Sequence, residues 1–581
     1  MAFLELDTSK VKTPWYGSYE DIPEHLDYPD YSIYETIRRT CEKYPNEIAY
    51  DYFNRKVTYG DFLKEIDMIA KSFVAIGVKK GDKVTLVMPN TPEAIISFYA
   101  LNKIGAISNM VHPLSSQNEI RHYIELSKSV AVLTIDATFA TVYNIVPGTT
   151  VQNIIVASPS NSMIYMKPIY KTTQLTSNRI PREKGIIKWW RFRRLGRKVD
   201  YGVDEYTDGS YPATILYSGG TTGKPKGIVL SNLNFNALAL SSLTFVKIGV
   251  GDKILAIMPI FHGFGLGVCV HTCMSVGAQS ILIPRFDNKK FHKLLKKHKP
   301  TVLAGVPTLW EAMINNPKMK NMDLSFLKIM ISGGDSLSVS LKHKMDAFLK
   351  EHNADIQVME GYGLTECVTG SCLNPQYRCK DGSVGIPYPD IFYKIVKHNT
   401  CKEIPYGEEG EICLSGPTVM LEYLDEPEET ANTLKVHEDG LTWLHTGDLG
   451  HMDEEGWVYF KLRIKRMIVS NGYNIYPSQL ENIIDAHPNV SVSTVIGIPH
   501  PYKREVAKAF IVLKDGIEPT DEVKQNIYNY CKQNSAKYAL PKEFEYRDEL
   551  PKTLVNKVDV IRLREESING ANWSSFILLS S

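Results

Sequence analysis

The stretch Tyr217–Gly227, YSGGTTGKPKG, places four glycines, three aliphatic hydroxyls and two lysines within eleven residues. Glycines let backbone N–H groups converge, hydroxyls add donors and lysines add charge, which is the chemistry that wraps phosphate. The spacing is not that of a G-x-x-x-x-G-K-[ST] loop. Only three residues separate Gly219 from Gly223, and Lys224 precedes Pro225, which disfavours helix at the lysine. The expectation is a phosphate loop of another kind, with a generic glycine-rich turn as the bland alternative. Cys269, His271 and Cys273 have the side chains of a zinc site but lack the second pair that a closed site needs. These cysteines read as small buried hydrophobes.

The elements around the loop must hold it rigidly. Short apolar runs bounded by turn residues (KVTLVMP, AVLTID, NIIVAS, KILAIMP, SILIP, TVLAGVP and LKIMISGG) alternate with helical patterns such as TPEAIISFYALNKIGA. Such alternation predicts α/β layers with largely parallel sheets. From about Asp381 the pattern turns to short strands, as in EEGEICLSGP and EEGWVYF, which reads as a small β-rich subdomain. Beyond Lys465, QLENIIDAHPNV, VSTVIGIP, AKAFIVL and VKQNIYNYCKQN read as a compact α+β domain. The expected division is therefore 1–464, carrying the loop, and 465–581.

The chain has 581 residues, 43% hydrophobic and 23% charged, with a formal net charge of +1. Such a balance fits a soluble globular protein of several domains and offers no global field for nucleic acid. Nine cysteines without CxxC pairs argue against a disulfide framework and predict a cytoplasmic setting. The 31 residues between Lys253 and Arg285 carry no Asp, Glu, Lys or Arg, which is long enough to span a bilayer. Pro259, His262, His271, Gln279 and the glycines among them favour a buried strand, loop, helix and strand instead.

Further motifs follow the loop in order: SGGDSLS (Ser332–Ser338), EGYGLTE (Glu360–Glu366), HTGD (His445–Asp448), RIKRMIVSNGYNIYPSQLE (Arg463–Glu481) and PKTLVNK (Pro551–Lys557). Together they resemble the adenylate-forming superfamily of acyl-CoA synthetases, luciferases and peptide-synthetase adenylation domains, from about Tyr34 to about Leu563. That resemblance implies a large N-terminal domain of two layered α/β sheets with a β-rich subdomain, and a small mobile α+β C-terminal domain. It implies an enzyme that joins a carboxylate to AMP, releases pyrophosphate and passes the acyl group to a thiol. ATP would be held by Ser218, Gly219, Gly220, Thr221, Thr222, Gly223, Lys224 and Lys226, with Lys226 at the β- and γ-phosphates. Glu366, with Thr222, would hold Mg²⁺, and Thr365 would face the α-phosphate. Gly361, Tyr362 and Gly363 would cover one face of adenine, with Gly333, Gly334 and Asp335 closing the other. Asp448 and Arg463 would take the ribose, Lys557 would be the adenylation lysine and Lys465 the hinge. Taken singly, each has a plainer reading: a core tyrosine, a helix cap, a surface ion pair, a solvated lysine. The chain departs from the family pattern at Leu462, Arg466, Gln479 and Asn556, none of which removes a charge needed at phosphate or ribose.

The motif PIFHGFGLG looks more like fatty acyl-CoA synthetases than amino-acid activators, because no acid is present to hold an ammonium. Phe261, His262, Gly263 and Phe264 would lie beside the acyl group, with Gly305 in the continuing apolar wall. A core histidine is the equal alternative for His262. The expected partners are a medium- or long-chain fatty acid, ATP and coenzyme A. An aryl-acid CoA ligase is an alternative, as is a fatty acyl-AMP ligase loading a carrier protein. Readings of another class are a silent membrane-bound scaffold and a P-loop ATPase. Last, the insert at about 158–209 contains REKGIIKWWRFRRLGRK, whose arginines and tryptophans suit peripheral contact with the inner face of an anionic membrane through residues 182–198. The plainer reading there is a solvated loop.

Overall fold

A computed structural model of the chain describes residues 8–163, 180–217, 225–470, 473–475, 477–500, 504–535, 539–553 and 558–569. The chain forms two compact units: 1–394 with 413–445 and 452–458, and 395–412 with 446–451 and 459–581. In the first unit the seven apolar runs named above all become strands. Among the described residues, one nine-stranded sheet has a parallel centre in the spatial order Val358–Tyr362, Ile329–Ser332, Val302–Gly305, Lys253–Ala256, Gln279–Leu282, Ile48–Tyr52. An eight-stranded sheet likewise centres on Pro212–Tyr217, Ile107–Val111, Lys83–Val87 and Ala131–Ile135, all parallel. Both faces of these strands are covered, which is why they read as continuous apolar runs rather than alternating ones. Leu255, Leu303, Met330 and Val358 of the first sheet pack with Trp310 and Phe348 from its helices.

This topology places the motifs. In parallel α/β sheets, ligands bind beyond the carboxyl ends of the strands. The glycine loop follows Tyr217, the acyl motif follows Ala256, Gly305 ends its strand, SGGD begins at Ser332, and Tyr362 ends the strand Val358–Tyr362. All five lie at carboxyl ends.

The charge-free segment is strand Lys253–Ala256, π-helix Phe264–Thr272, a short helical turn and strand Gln279–Leu282. No helix among the described residues is long and apolar enough to cross a membrane. Cys269 and Cys273 are buried, and His271 is within hydrogen-bonding distance of Asn236 Oδ1, 3.1 Å from its Nε2. Burial pushes His271 down to about 3, so the ring is neutral.

The described part of the insert, beyond residue 180, is more regular than a solvated loop. Ile186–Lys188 adds a parallel edge strand to the second sheet, and Trp189–Gly196 is a helix against Tyr59–Ala75. Helical phase separates the two tryptophans. Trp189 and Phe192 turn inward, where Phe192 meets Phe73 at 4.9 Å between ring centroids. Gly196 permits this packing, since a Cβ there would lie 2.4 Å from the Met68 carbonyl oxygen. Trp190 is left 54% exposed, beside Arg191 and Arg194.

A five-stranded sheet follows, in the order Phe392–Val396, Gly410–Ser415, Thr442–Met452, Leu434–Val436, with Val458–Arg463 paired to Thr442–Met452. In the second unit the long antiparallel pair Val490–His500 and Arg504–Leu513 carries helices Pro477–Asp485 and Asp521–Asn534 on a core that includes Ile484, Val495, Ile511 and Ile527.

Candidate active site

Glycines bring the first unit's motifs together. A Cβ on Gly263 would fall 1.6 Å from the Val368 carbonyl oxygen, so the acyl motif lies directly on the turn that follows Glu366. A Cβ on Gly363 would fall 2.1 Å from the Thr369 carbonyl oxygen. Gly333 has Gly361 O and the Phe264 ring as its neighbours, at 3.5 and 3.8 Å from its notional Cβ. Gly305 accepts the Gly333 N–H at 3.0 Å, and its notional Cβ would be 2.9 Å from the Trp310 ring. Thus Gly263, Phe264, Gly305, Gly333, Gly361 and Gly363 share one region. No side chain larger than hydrogen fits at Gly263 or Gly363.

The acyl motif is braced by a residue that sequence reading passed over. Asn90, 4% exposed and three residues beyond strand Lys83–Val87, donates from Nδ2 to Ala256 O at 3.0 Å and Met258 O at 2.9 Å. Its Oδ1 accepts the Ile260 N–H at 3.1 Å. Beyond it, Phe261 meets His112 edge-on at 4.2 Å, and burial holds His112 neutral, down to about 4. The Phe264 N–H donates to His262 Nδ1 at 3.1 Å. Nδ1 therefore carries no proton, and a neutral His262 presents Nε2–H.

Gly334 takes φ +80°, which opens the loop after Ser332. Asp335 is exposed and accepts the Ser336 N–H at 3.0 Å. Leu337 N–H, in turn, donates to Glu360 Oε1 at 3.0 Å, tying this loop to strand Val358–Tyr362. Glu360 is buried, and desolvation pushes its carboxyl up to about 8. Tyr362 is buried at the strand end, and its carbonyl accepts the Ser371 N–H at 3.0 Å.

Thr365 and Glu366 form a 3₁₀ turn, Thr365 buried and Glu366 half-buried. The Tyr423 hydroxyl donates to Glu366 Oε1 at 2.9 Å, and the Glu366 carbonyl accepts the Met420 N–H at 2.8 Å. Lys226 pairs with Glu429, and its ammonium lies 4.7 Å from the Tyr423 ring centroid.

In the second unit, Asp448 is 1% exposed and forms an ion pair with Arg463, whose Nε lies 3.3 Å from its Oδ1. The turn before it is fixed by Gly447 at φ +69°, whose N–H donates to Glu411 at 3.0 Å, and by Thr446, which donates to Ile412 O at 2.7 Å. Lys465 sits in the 3₁₀ turn Ile464–Arg466. The departure at Arg466 has a structural account: its guanidinium pairs with Glu481 at 2.9 Å, which also accepts the Val495 N–H. Ser218, Gly219, Gly220, Thr221, Thr222, Gly223, Lys224 and Lys557 lie outside the described residues.

Residues 37–424 match the family described as AMP-binding enzyme, and 479–557 match the AMP-binding enzyme C-terminal domain. A long-chain-fatty-acid–CoA ligase of Bacillus subtilis (strain 168) is 33% identical over 561 residues, covering 95% of this chain and 98% of the relative. The ATP-bound MatB structure from Rhodopseudomonas palustris superposes with a TM-score of 0.79 at 25% identity, covering 92% of this chain and 98% of that one. An anthranilate CoA ligase, AuaEII, in complex with anthranoyl-AMP reaches 0.82 at 23% identity, covering 94% and 98%, and supports the fold alone.

Proposed function

Since the chain belongs to the AMP-binding enzyme family and is an AMP-forming acid–CoA ligase, we propose that its acid is a medium- or long-chain fatty acid. We propose that the acid is activated to acyl-AMP with release of pyrophosphate and transferred to coenzyme A. The P-loop ATPase gives way to this family, and the presence of Lys226, Glu366, Asp448, Arg463 and Lys557 speaks against a silent relative. The observation that carries the fatty-acid reading is the apolar, acid-free acyl motif Phe261–Phe264, packed on the Glu366 turn through Gly263. The activity in the B. subtilis relative's name supports it.

In this reading the acid's carboxylate oxygen attacks the α-phosphorus of ATP, and the bond to the bridging oxygen of pyrophosphate breaks. Lys226 and the 218–224 loop hold the β- and γ-phosphates, and Lys557 stabilises charge as pyrophosphate leaves. His262 offers Nε2–H near the acyl carboxylate, on a ring oriented by the Phe264 N–H. Glu366 and a threonine hydroxyl are hard oxygen donors of the kind that suits Mg²⁺, and Mg²⁺ bound there would neutralise phosphate charge. Tyr362 stacks on adenine, with Gly333, Gly334 and Asp335 opposite. Asp448, already oriented by its local turn, accepts from the ribose hydroxyls with Arg463 beside it. In the same reading Lys465 is the hinge between the two half-reactions, and in the second the thiol displaces AMP from the acyl carbonyl.

Acid-dependent exchange of labelled pyrophosphate into ATP, followed by product mass spectrometry over C2–C20 and aromatic acids with and without coenzyme A, tests the proposal. Exchange with aromatic acids alone would move the assignment to an aryl-acid CoA ligase. Stalling at acyl-AMP in the presence of coenzyme A would move it to a carrier-protein-loading ligase. We further infer that the enzyme is cytoplasmic and rests on an anionic membrane surface, because exposed Trp190 lies beside exposed Arg191 and Arg194, with exposed Arg197 next along the chain after that helix.

A further inference from the structure

Lys226 stands just before strand Gly227–Ser231, whose antiparallel partner Glu422–Tyr423 sets Tyr423 opposite Ile228. The Leu424 N–H donates to Gly227 O at 2.7 Å and fixes that register. Two consequences follow. The Tyr423 ring lies 4.7 Å from the Lys226 ammonium while its hydroxyl reaches Glu366, and the ensuing helix Pro427–Thr433 brings the Glu429 carboxylate onto the same ammonium. Lys226 therefore has a carboxylate partner where the proposed chemistry calls for a phosphate.

We propose that Glu429 is a positioning residue that acts as an internal counter-ion, holding Lys226 beside Tyr423 and Glu366 until the triphosphate of ATP displaces it. The proposal rests on the reading that Lys226 contacts the β- and γ-phosphates. A lysine ammonium is a strongly hydrated point charge on a flexible stem, so an unpaired Lys226 would sample many rotamers. The aromatic face and the carboxylate together confine it. The pair is also built to break: the two side chains are 33% and 47% exposed, and such pairs are held by about a fivefold bias or less. An arriving triphosphate carries several charges against one, so it wins the ammonium, and Glu429 raises the ATP concentration needed to do so.

The test measures ATP binding directly by calorimetry in EDTA, and KM for ATP in acid-dependent pyrophosphate exchange. Glu429→Gln is expected to lower both the Kd and the KM for ATP about three- to fivefold with kcat unchanged, and the difference from wild type should shrink as salt rises. In a Lys226→Gln background the same substitution should have no effect. Unchanged or weaker ATP binding in Glu429→Gln overturns the proposal, as does a gain that persists without Lys226. Failure of the underlying reading looks different: the wild type would show no acid-dependent exchange, or Lys226→Gln alone would leave ATP binding intact.

Discussion

Replacing Asn90 by Ala removes a side chain that is 4% exposed and holds three backbone groups of the segment 256–260. Each lost bond is worth about 1 kcal/mol, and two carbonyls and one N–H are left without their partner, so about 3 kcal/mol is the expected local cost. Asn90→Asp discriminates further. Its second oxygen would face the Ala256 and Met258 carbonyl oxygens, which lie at 3.0 and 2.9 Å from the present donor. Burial and the facing carbonyls raise such a carboxyl above its usual range, so aspartate should be worse than alanine at high pH and recover as pH falls and the carboxyl takes a proton and donates. A chain of two units has no single unfolding free energy, so hydrogen exchange at the Ile260 amide is the right stability readout. Function should follow. The braced segment leads into Phe261 and His262, and a misplacement of about 1 Å near reacting atoms costs about a hundredfold. The KM for the fatty acid should rise at least about tenfold while that for ATP changes little. Wild-type protection at Ile260 in Asn90→Ala would refute the bracing argument, and an ATP effect larger than the acid effect would refute its placement.

Lys557→Ala should lose most adenylation and much less thioester formation from supplied acyl-AMP; an equal loss in both half-reactions would sink the assignment of Lys557 to adenylation. Glu360→Gln keeps an acceptor for Leu337 N–H and removes a carboxyl raised from 4.5 to about 8 by burial. A raised acid keeps its proton in the folded state, so its stabilising contribution is complete below about pH 4.5 and is lost as pH rises to about 8. In the variant, hydrogen-exchange protection at the Leu337 amide should fall less across that window, and a parallel profile would count against the shift. Replacing Arg191, Arg194 and Arg197 with Ser should weaken binding to phosphatidylserine vesicles by roughly a hundredfold at low salt, at about 1 kcal/mol per residue. Equal pelleting of wild type and variant returns the insert to a solvated surface. Trp190→Ser should weaken the salt-resistant part of that binding, whereas Trp189→Ser should destabilise the fold.

The strands were legible because burial on both faces leaves the same apolar signature whatever the neighbours are. The division of labour between Trp189 and Trp190 was not. It depends on which face the helix Trp189–Gly196 turns towards Phe73, 116 positions earlier than Trp189 in the chain (189 − 73). Asn90 was illegible for a related reason. Between MP and TPE it reads as a turn residue, and only the approach of the two sheets reveals its three bonds. Tyr423 and Glu429 reach Lys226 through an antiparallel pairing about which no local pattern speaks. Glu366, Tyr362 and Asp448, by contrast, were named through ordered motifs, and the structure supplies the partners that orient them.

The turn after Glu366 is where local preference is most plainly overruled. Val368 takes φ +65° and Thr369 φ +141°, values that β-branched residues avoid at a cost of about 1–3 kcal/mol each. Glycine would adopt both without strain, so the choice of side chains needs a compensating force. Packing supplies it: Val368 is fully buried, and its carbonyl lies against Gly263, while the Thr369 carbonyl lies against Gly363. Each of these close approaches requires the glycine opposite. The strain is therefore held by two glycines from two different motifs, one leading into the acyl segment and one inside EGYGLTE. Glu366 enters this turn with its carbonyl tied to Met420 and its carboxylate to Tyr423. In its proposed role at Mg²⁺, the Glu366 carboxylate would gain from such over-determination, because its backbone has no low-energy alternative to relax into.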